Sequence, residues 1–207
     1  IKKIRNVSNI IQNYKKKGNN VIVVSSAMSG VTNDLIKKSR MISKSFSDAE
    51  YDVLVASGEQ IACSLIAGRL IDKGYRSRSW LAWQIPILTT GHHKNSRINQ
   101  INKIEIIKYL KKGGIPIIAG FQGVNEEKRL TTIGRGGSDA SAIMLAKFFK
   151  AKKCVIYTDV EGVYTTDPNK LHNAKKIKEI SYEEMLEMAS LGAKVMQPVS
   201  IQDARLN

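Results

Sequence analysis

A chain of 207 residues is long enough for one or two domains with a real core, and 43% hydrophobic with 25% charged residues excludes disorder as the default. The net charge of +15 raises nucleic acid, anionic membranes and phosphate-bearing ligands as partners. The lysines are nevertheless dispersed, in YKKKGNN, IKKSR, LKKGG, FFKAKK and AKKIK, with no basic stripe interleaved by aromatics, so no nucleic-acid partner is expected.

In chain order, Ile4, Val7, Ile10, Ile11 and Tyr14 recur at helical spacing until KKKGNN closes the helix. Residues 21–26, VIVVSS, form a short β-branched run suited to a buried parallel strand, and AMSGVTNDL then leaves it as a loop that re-enters a helix near Thr32. AEYDVLVASGEQIACSLIAGRLIDKGY predicts helix on both sides of a break at Ser57 and Gly58. RSRSWLAW and PILTT read as strands, NQINKIEIIKYLKKGG as a helix, IPIIAGF as an apolar strand and GVNEEKRLTTI as a polar hairpin. After TTIGRGGSD comes a helix, then CVIYTD as an apolar strand, the irregular VEGVYTTDPNK, and a helix opened by the capping box Ser181 and Glu184 and stopped at Gly192. Alternating strands and helices predict an α/β fold with a mostly parallel sheet sandwiched between helices, organised as one domain over residues 1–207.

Cys63 and Cys154 lie in no metal-ligand spacing, and their apolar neighbours predict two small core residues in a reducing, cytoplasmic setting. His92 and His93 in GHHKNS have no cysteine or carboxylate cluster near them in sequence, so a solvated loop is expected there and no protein-held metal. No run approaches the ~20 apolar residues needed to span a bilayer, and no signal peptide is evident, so no membrane association is expected. The chain does not begin with Met and stops in DARLN just after a helical pattern, so both ends are expected to be cut.

Four polar loops flank the apolar elements: SSAMSGVTN, ASGEQ, GRGGSD and YTDVEGVYTTDP. In GRGGSD, Gly136 and Gly137 can take positive φ, Ser138 is a natural N-cap, the helix beyond presents free N–H groups to an anion, and Arg135 adds a fork matched to carboxylate or phosphate. The loop is neither a Walker loop, since no Lys follows Gly137, nor a dinucleotide fingerprint, which would need Gly at Asp139. Alone it reads equally as a structural cap. Glu59 reads equally as a helix-start carboxylate, Thr32 as an N-cap, and TDPN as an ordinary turn.

VVSSAMSGVTNDL, ASGEQIACSLIA, GFQGVNEEKRLTTIGRGGSDASA, YTDVEGVYTTDP and EMASLGAKVMQP, in this order and over nearly the whole chain, resemble the catalytic domain of the aspartate kinases, within the amino acid kinase superfamily. The resemblance implies transfer of the γ-phosphoryl of ATP, carried with Mg2+, to the side-chain carboxylate of L-aspartate at the head of lysine, threonine, methionine and diaminopimelate synthesis. It also implies a homo-oligomer in the full-length protein. Alternatives are another kinase of the superfamily, acting on glutamate, acetylglutamate, carbamate or a nucleoside monophosphate, and a basic nucleic-acid-binding remnant without catalysis. By resemblance, Thr32 and Glu59 contact aspartate, Arg135 clamps a carboxylate, and Gly136, Gly137 and Ser138 line its meeting point with the γ-phosphate, with Ser26 and Phe121 as weaker members. Asp139 organises the lysines around the phosphates; Thr158, Asp159, Tyr164, Lys194 and Val195 serve the nucleotide. Arg135, Asp139 and Lys194 are thereby the expected catalytic residues.

The sequence departs from the family pattern in three ways. The family's opening strand and Lys-Phe-Gly-Gly-Thr-Ser segment, whose lysine and glycines hold the ATP phosphates, are expected to precede Ile1, Asn169 stands where an arginine is usual with Lys170 next to it, and the family's carboxyl-terminal ACT domains are expected to lie outside these 207 residues. The isolated 207 residues are therefore expected to be feeble or inactive.

Overall fold

The computed structural model describes residues 2–134, 136–193 and 195–206. Helix α1 (Lys2–Lys16) presents Ile4, Val7 and Ile11 to the core and ends in Lys15 and Lys16, as its periodicity predicts. It is followed by β1 (Val23–Ser25), α2 (Val31–Ile42), α3 (Asp48–Asp72), β2 (Ser77–Trp80), β3 (Ile87–Thr90) and β4 (Arg97–Ile101). Next come α4 (Ile104–Lys111), β5 (Ile115–Ala119), β6 (Gln122–Val124), β7 (Leu130–Thr132), α5 (Gly137–Phe148), α6 (Tyr182–Ser190) and α7 (Pro198–Arg205).

The centre is β5, buried at all five residues and flanked in parallel by β1 and β2. Its alternation divides the core. Ile115, Ile117 and Ala119 pack with Ile11, Cys63, Ile66 and Leu70 of α1 and α3, while Ile118 packs with Trp80, Ile106 and Leu145 on the opposite face. This is the expected parallel sheet between helix layers, with both faces covered. Beside it lies a second sheet of order β4-β3-β6-β7, in which only β3 and β6 run parallel and β6 and β7 form the expected hairpin.

Several expectations are corrected. Helix α3 runs unbroken through Ser57 and Gly58, because the missing Cβ of Gly58 admits the preceding loop: a methyl there would meet Ala27 Cβ at 2.9 Å and Val31 Cγ1 at 3.2 Å. This same helix is long and apolar enough to cross a membrane by length and composition, contrary to the expectation of none, but half of its most apolar stretch is buried against the protein. Residues 99–101 are strand instead of helix, since antiparallel pairing with β3 buries Ile101, and Asn102 Oδ1 then accepts from Ile104 N at 3.2 Å where α4 begins. Residues 154–159 form no strand; among the described residues no strand pairs with them, and Cys154 is exposed instead of buried. Cys63 is the core residue expected of it, its thiol donating to Ile117 O at 2.8 Å, and burial pushes it up to about 11.

Candidate functional site

The chain leaves β1 and β5 at the same end of the parallel sheet, and three of the four polar stretches, SSAMSGVTN, the ASGEQ segment of α3 and GRGGSD, contribute residues there. They enclose a pocket of about 260 Å³ lined by Ser26, Thr32, Glu59, Phe121, Gly136, Gly137, Ser138 and Asp139. That volume lies below the range usual for drug-sized ligands and suits a small polar molecule.

Each wall has a local cause. Ser26 follows the last residue of β1, and Gly30, at φ 86°, turns the chain so that α2 starts at Val31 with Thr32 in its first turn. Thr32 is therefore not the N-cap that the sequence allows. Glu59 projects from the middle of α3, not from a helix start. Its Oε1 accepts from Ala27 N at 3.1 Å, while Oε2 is buried without a hydrogen-bond partner among the described residues. Burial pushes this carboxyl up to about 7, against the lowering effect of the Ala27 N–H. A cation beside this carboxyl would favour its ionised form against the cost of burial.

The opposite wall is the start of α5. Gly136, at φ 74°, is the N-cap, so Ser138 stands inside the first turn instead of capping it. The left-handed turn brings Gly137 so close to the Phe121 ring that a Cβ would lie 2.6 Å from it. Phe121 itself takes φ 64°, held by its N–H to Ser141 Oγ at 3.0 Å and by its carbonyl accepting from Ile133 N at 3.0 Å. Asp139 faces the pocket from this first turn, and burial raises its carboxyl above the usual range. A cation-seeking carboxylate thus faces a helix N-terminus suited to an anion, an arrangement that can hold an amino acid by both ends.

The remaining expected residues are not gathered here. Arg135 and Lys194 lie outside the described residues. Thr158, Asp159 and Asn169 are exposed, Tyr164 is partly so, and Val195 is half-buried between α6 and α7. Their hydrogen bonds are local: Thr158 Oγ1 to Asp159 Oδ1 at 3.3 Å, Tyr164 OH to Glu161 Oε2 at 3.0 Å, and Asn169 N to Asp167 Oδ1 at 2.9 Å. The last is the ordinary turn that TDPN allowed. The capping box at Ser181 is formed as expected, with Glu184 N donating to Ser181 Oγ at 3.2 Å.

Sequence reasoning missed Asp52 and misjudged His93. Instead of standing in a solvated loop, His93 binds Asp52 Oδ2 through Nδ1 at 2.6 Å, and Asp52 is fully buried. The only local signal was a carboxylate on the buried face of an apolar helix, which a lone sequence leaves without a partner.

The family model described as the amino acid kinase family matches residues 2–205. An aspartokinase from Rickettsia felis is 49% identical over 205 residues, covering 98% of this chain and 51% of that protein, and one from Geobacillus stearothermophilus is 47% identical, covering 99% and 50%. The chain thus spans about half the length of the curated relatives it matches. Among solved structures, an aspartate kinase from Synechocystis superposes with a TM-score of 0.86 at 37% identity, covering 99% of this chain and 34% of that one. Aspartokinase III of E. coli, in complex with aspartate and ADP, superposes at 0.84 and 25% identity, covering 97% and 56%. With the sheet, the pocket at its strand ends and the matched residues in agreement, the chain belongs to the amino acid kinase family.

Proposed function

We propose that the protein transfers the γ-phosphoryl group of ATP to the side-chain carboxylate of L-aspartate, giving 4-phospho-L-aspartate for lysine, threonine, methionine and diaminopimelate synthesis. The observation that carries this reading is the small pocket lined on the one hand by Glu59, whose buried Oε2 has no partner among the described residues, and on the other by the glycine turn at the start of α5. The aspartokinase relatives support it, as does the fold shared with a structure holding aspartate and ADP.

A carboxylate of pKa about 3.9 is already an ionised nucleophile at neutral pH and needs no general base. The site must instead bring two anions into line and spread the charge of the transferring group. Glu59, ionised on the arrival of the ammonium group, would orient the amino acid, with Ser26 and Thr32 beside it. Gly136, Gly137 and Ser138 would offer backbone N–H groups where the nucleophile meets the γ-phosphate. Arg135 would clamp a carboxylate of the acceptor, and Lys194 would meet the nucleotide phosphates. Thr158, Asp159, Tyr164, Asn169 and Val195 would serve the remainder of the nucleotide.

Magnesium carried on the nucleotide would neutralise charge between the phosphates. Asp139 is the lining carboxylate suited to face it, and among the described residues no group of three or more His, Cys, Asp or Glu could hold a metal by itself. The 207 residues would act as one catalytic domain, within a cytoplasmic homo-oligomer.

The test is ADP release by the protein made from its intact gene, assayed with ATP, magnesium and a panel of acceptors. Turnover with L-aspartate at least about 100-fold above glutamate, acetylglutamate, carbamate and nucleoside monophosphates is expected. Preference for another acceptor would overturn the assignment.

A further inference from the structure

Asp52 is fully buried, yet it lies outside the pocket lining. It sits on α3 seven residues before Glu59, which is about 10 Å or two turns along the same helix. Its carboxylate accepts from His93 Nδ1 at 2.6 Å, from Lys94 N at 3.1 Å to each oxygen, and from Thr132 Oγ1 at 2.5 Å. One side chain therefore ties α3 both to the loop between β3 and β4 and to the last residue of β7.

That loop packs against the stretch of chain, Thr132 to Gly134, that runs into the glycine turn. Ser96 N donates to Thr132 O at 3.0 Å, and Ser96 Oγ to His92 O at 2.8 Å. A Cβ on Gly134 would lie 2.6 Å from Asn95 Oδ1. Lys94 takes φ 66°, a left-handed conformation that costs a residue with a Cβ roughly 1 kcal/mol, and its N–H is aimed at both oxygens of Asp52. Its ammonium group meets Asp48 and lies 4.6 Å over the Tyr51 ring, so the loop is fastened to α3 at Asp48, Tyr51 and Asp52, which lie side by side within little more than the first turn of that helix.

If packing were its whole purpose, an apolar side chain of similar volume would serve as well as a buried carboxylate. What the carboxylate adds is direction: it orders three donors, of which Thr132 leads along the chain to Gly134 and Gly136, while His93 and Lys94 belong to the loop whose Asn95 and Ser96 touch Gly134 and Thr132. We propose that Asp52 is a positioning residue of the phosphoryl-transfer site. Through His93, Lys94 and Thr132 it holds the glycine turn in register with Glu59, so that one rigid helix sets both walls of the pocket. The inference rests on the reading of those walls as the acceptor site.

The experiment compares Asp52→Asn, His93→Ala and His93→Asn in the protein made from its intact gene, by steady-state kinetics and by amide exchange. Asp52→Asn is expected to lower kcat at least about tenfold with KM for ATP within about twofold, because misplacement of the turn spoils alignment more than nucleotide binding. His93→Ala is expected to cost about tenfold in kcat, and His93→Asn, whose amide N–H replaces Nδ1–H, to recover it to within about threefold. Exchange at Ile133 and Ala140, which donate to Phe121 O and Gly136 O, should quicken about tenfold while Ile11 of α1 is unchanged. Unchanged kcat, no recovery by His93→Asn, or exchange that quickens equally in α1 would overturn the inference. Should Asp52→Asn fail to fold, the His93 pair and Thr132→Val decide it. Absence of aspartate turnover in the unaltered protein would remove the proposed function alone, since the exchange measurement still decides whether Asp52 holds the turn.

Discussion

Glu59 and Thr158 are assigned to the same reaction, yet they sit in opposite surroundings. Glu59 projects from a 25-residue helix packed on the central sheet and is 4% exposed, with one oxygen held and the other waiting. Thr158 lies in residues 151–181, where Val155 is 41% and Tyr157 60% exposed and turns supply most of the hydrogen bonds. That segment touches α1 through Tyr157 OH, which donates to Tyr14 OH at 3.2 Å. The contrast teaches where binding free energy is stored in this molecule. A desolvated carboxylate must be built in advance by the core, whereas residues that face a large, charged nucleotide can be presented on a surface and ordered by the ligand.

The comparison can be broken first by stability. Ile117→Ala, at the fully buried centre of β5, should cost about 3 kcal/mol in denaturant unfolding, whereas Val155→Ala should stay within about 0.5 kcal/mol. Equal losses would show that the second region is as firmly packed as the first.

Glu59→Gln should raise KM for aspartate about 100-fold, on the order of 2.7 kcal/mol, while stability holds or rises because a buried charge with an unmatched oxygen is removed. A variant that binds aspartate normally would separate this carboxylate from the acceptor. Gly136→Ala, placed at φ 74° with its new methyl 2.6 Å from Gln197 Cγ, should cost roughly 2 kcal/mol in stability or an equivalent loss in kcat.

The pH dependence sharpens the same contrast. Burial holds the Glu59 carboxyl at about 7 in the folded chain, above its ordinary value of 4.5, so the ligand-free protein loses stability as pH rises from 4.5 through 7. An ammonium ligand needs the ionised form, so KM for aspartate should fall about tenfold between pH 6 and pH 8. Glu59→Gln should flatten both profiles. In the exposed region the expected effect is smallest: Asn169→Arg should lower KM for ATP by about threefold and leave KM for aspartate alone.

Much of this was readable before any fold was known. The apolar period of α1, the capping box at Ser181, the β-branched runs at β1 and β5 and the turn in TDPN all depend on residues within a few positions of one another, and all formed. Local reading failed where a distant neighbour decided. Gly58 looked like a helix break until Ala27 and Val31 were seen to occupy the space its missing Cβ leaves. Residues 154–159 carry a strand's composition, but composition cannot supply a partner strand, and Cys154 is exposed for that reason.

The pocket divides in the same way. Sequence alone determined the residue types of each loop and, through their long motifs, the family, because chemistry and spacing are written along the chain. Only tertiary structure decided that Ser26, Thr32, Glu59, Phe121 and Ser138 share one cavity, and that Asp52 meets His93 and Thr132 across forty-one and eighty positions of chain. Such contacts depend on how the sheet and α3 pack, and a carboxylate carries no mark in the sequence of the donors that folding will bring to it.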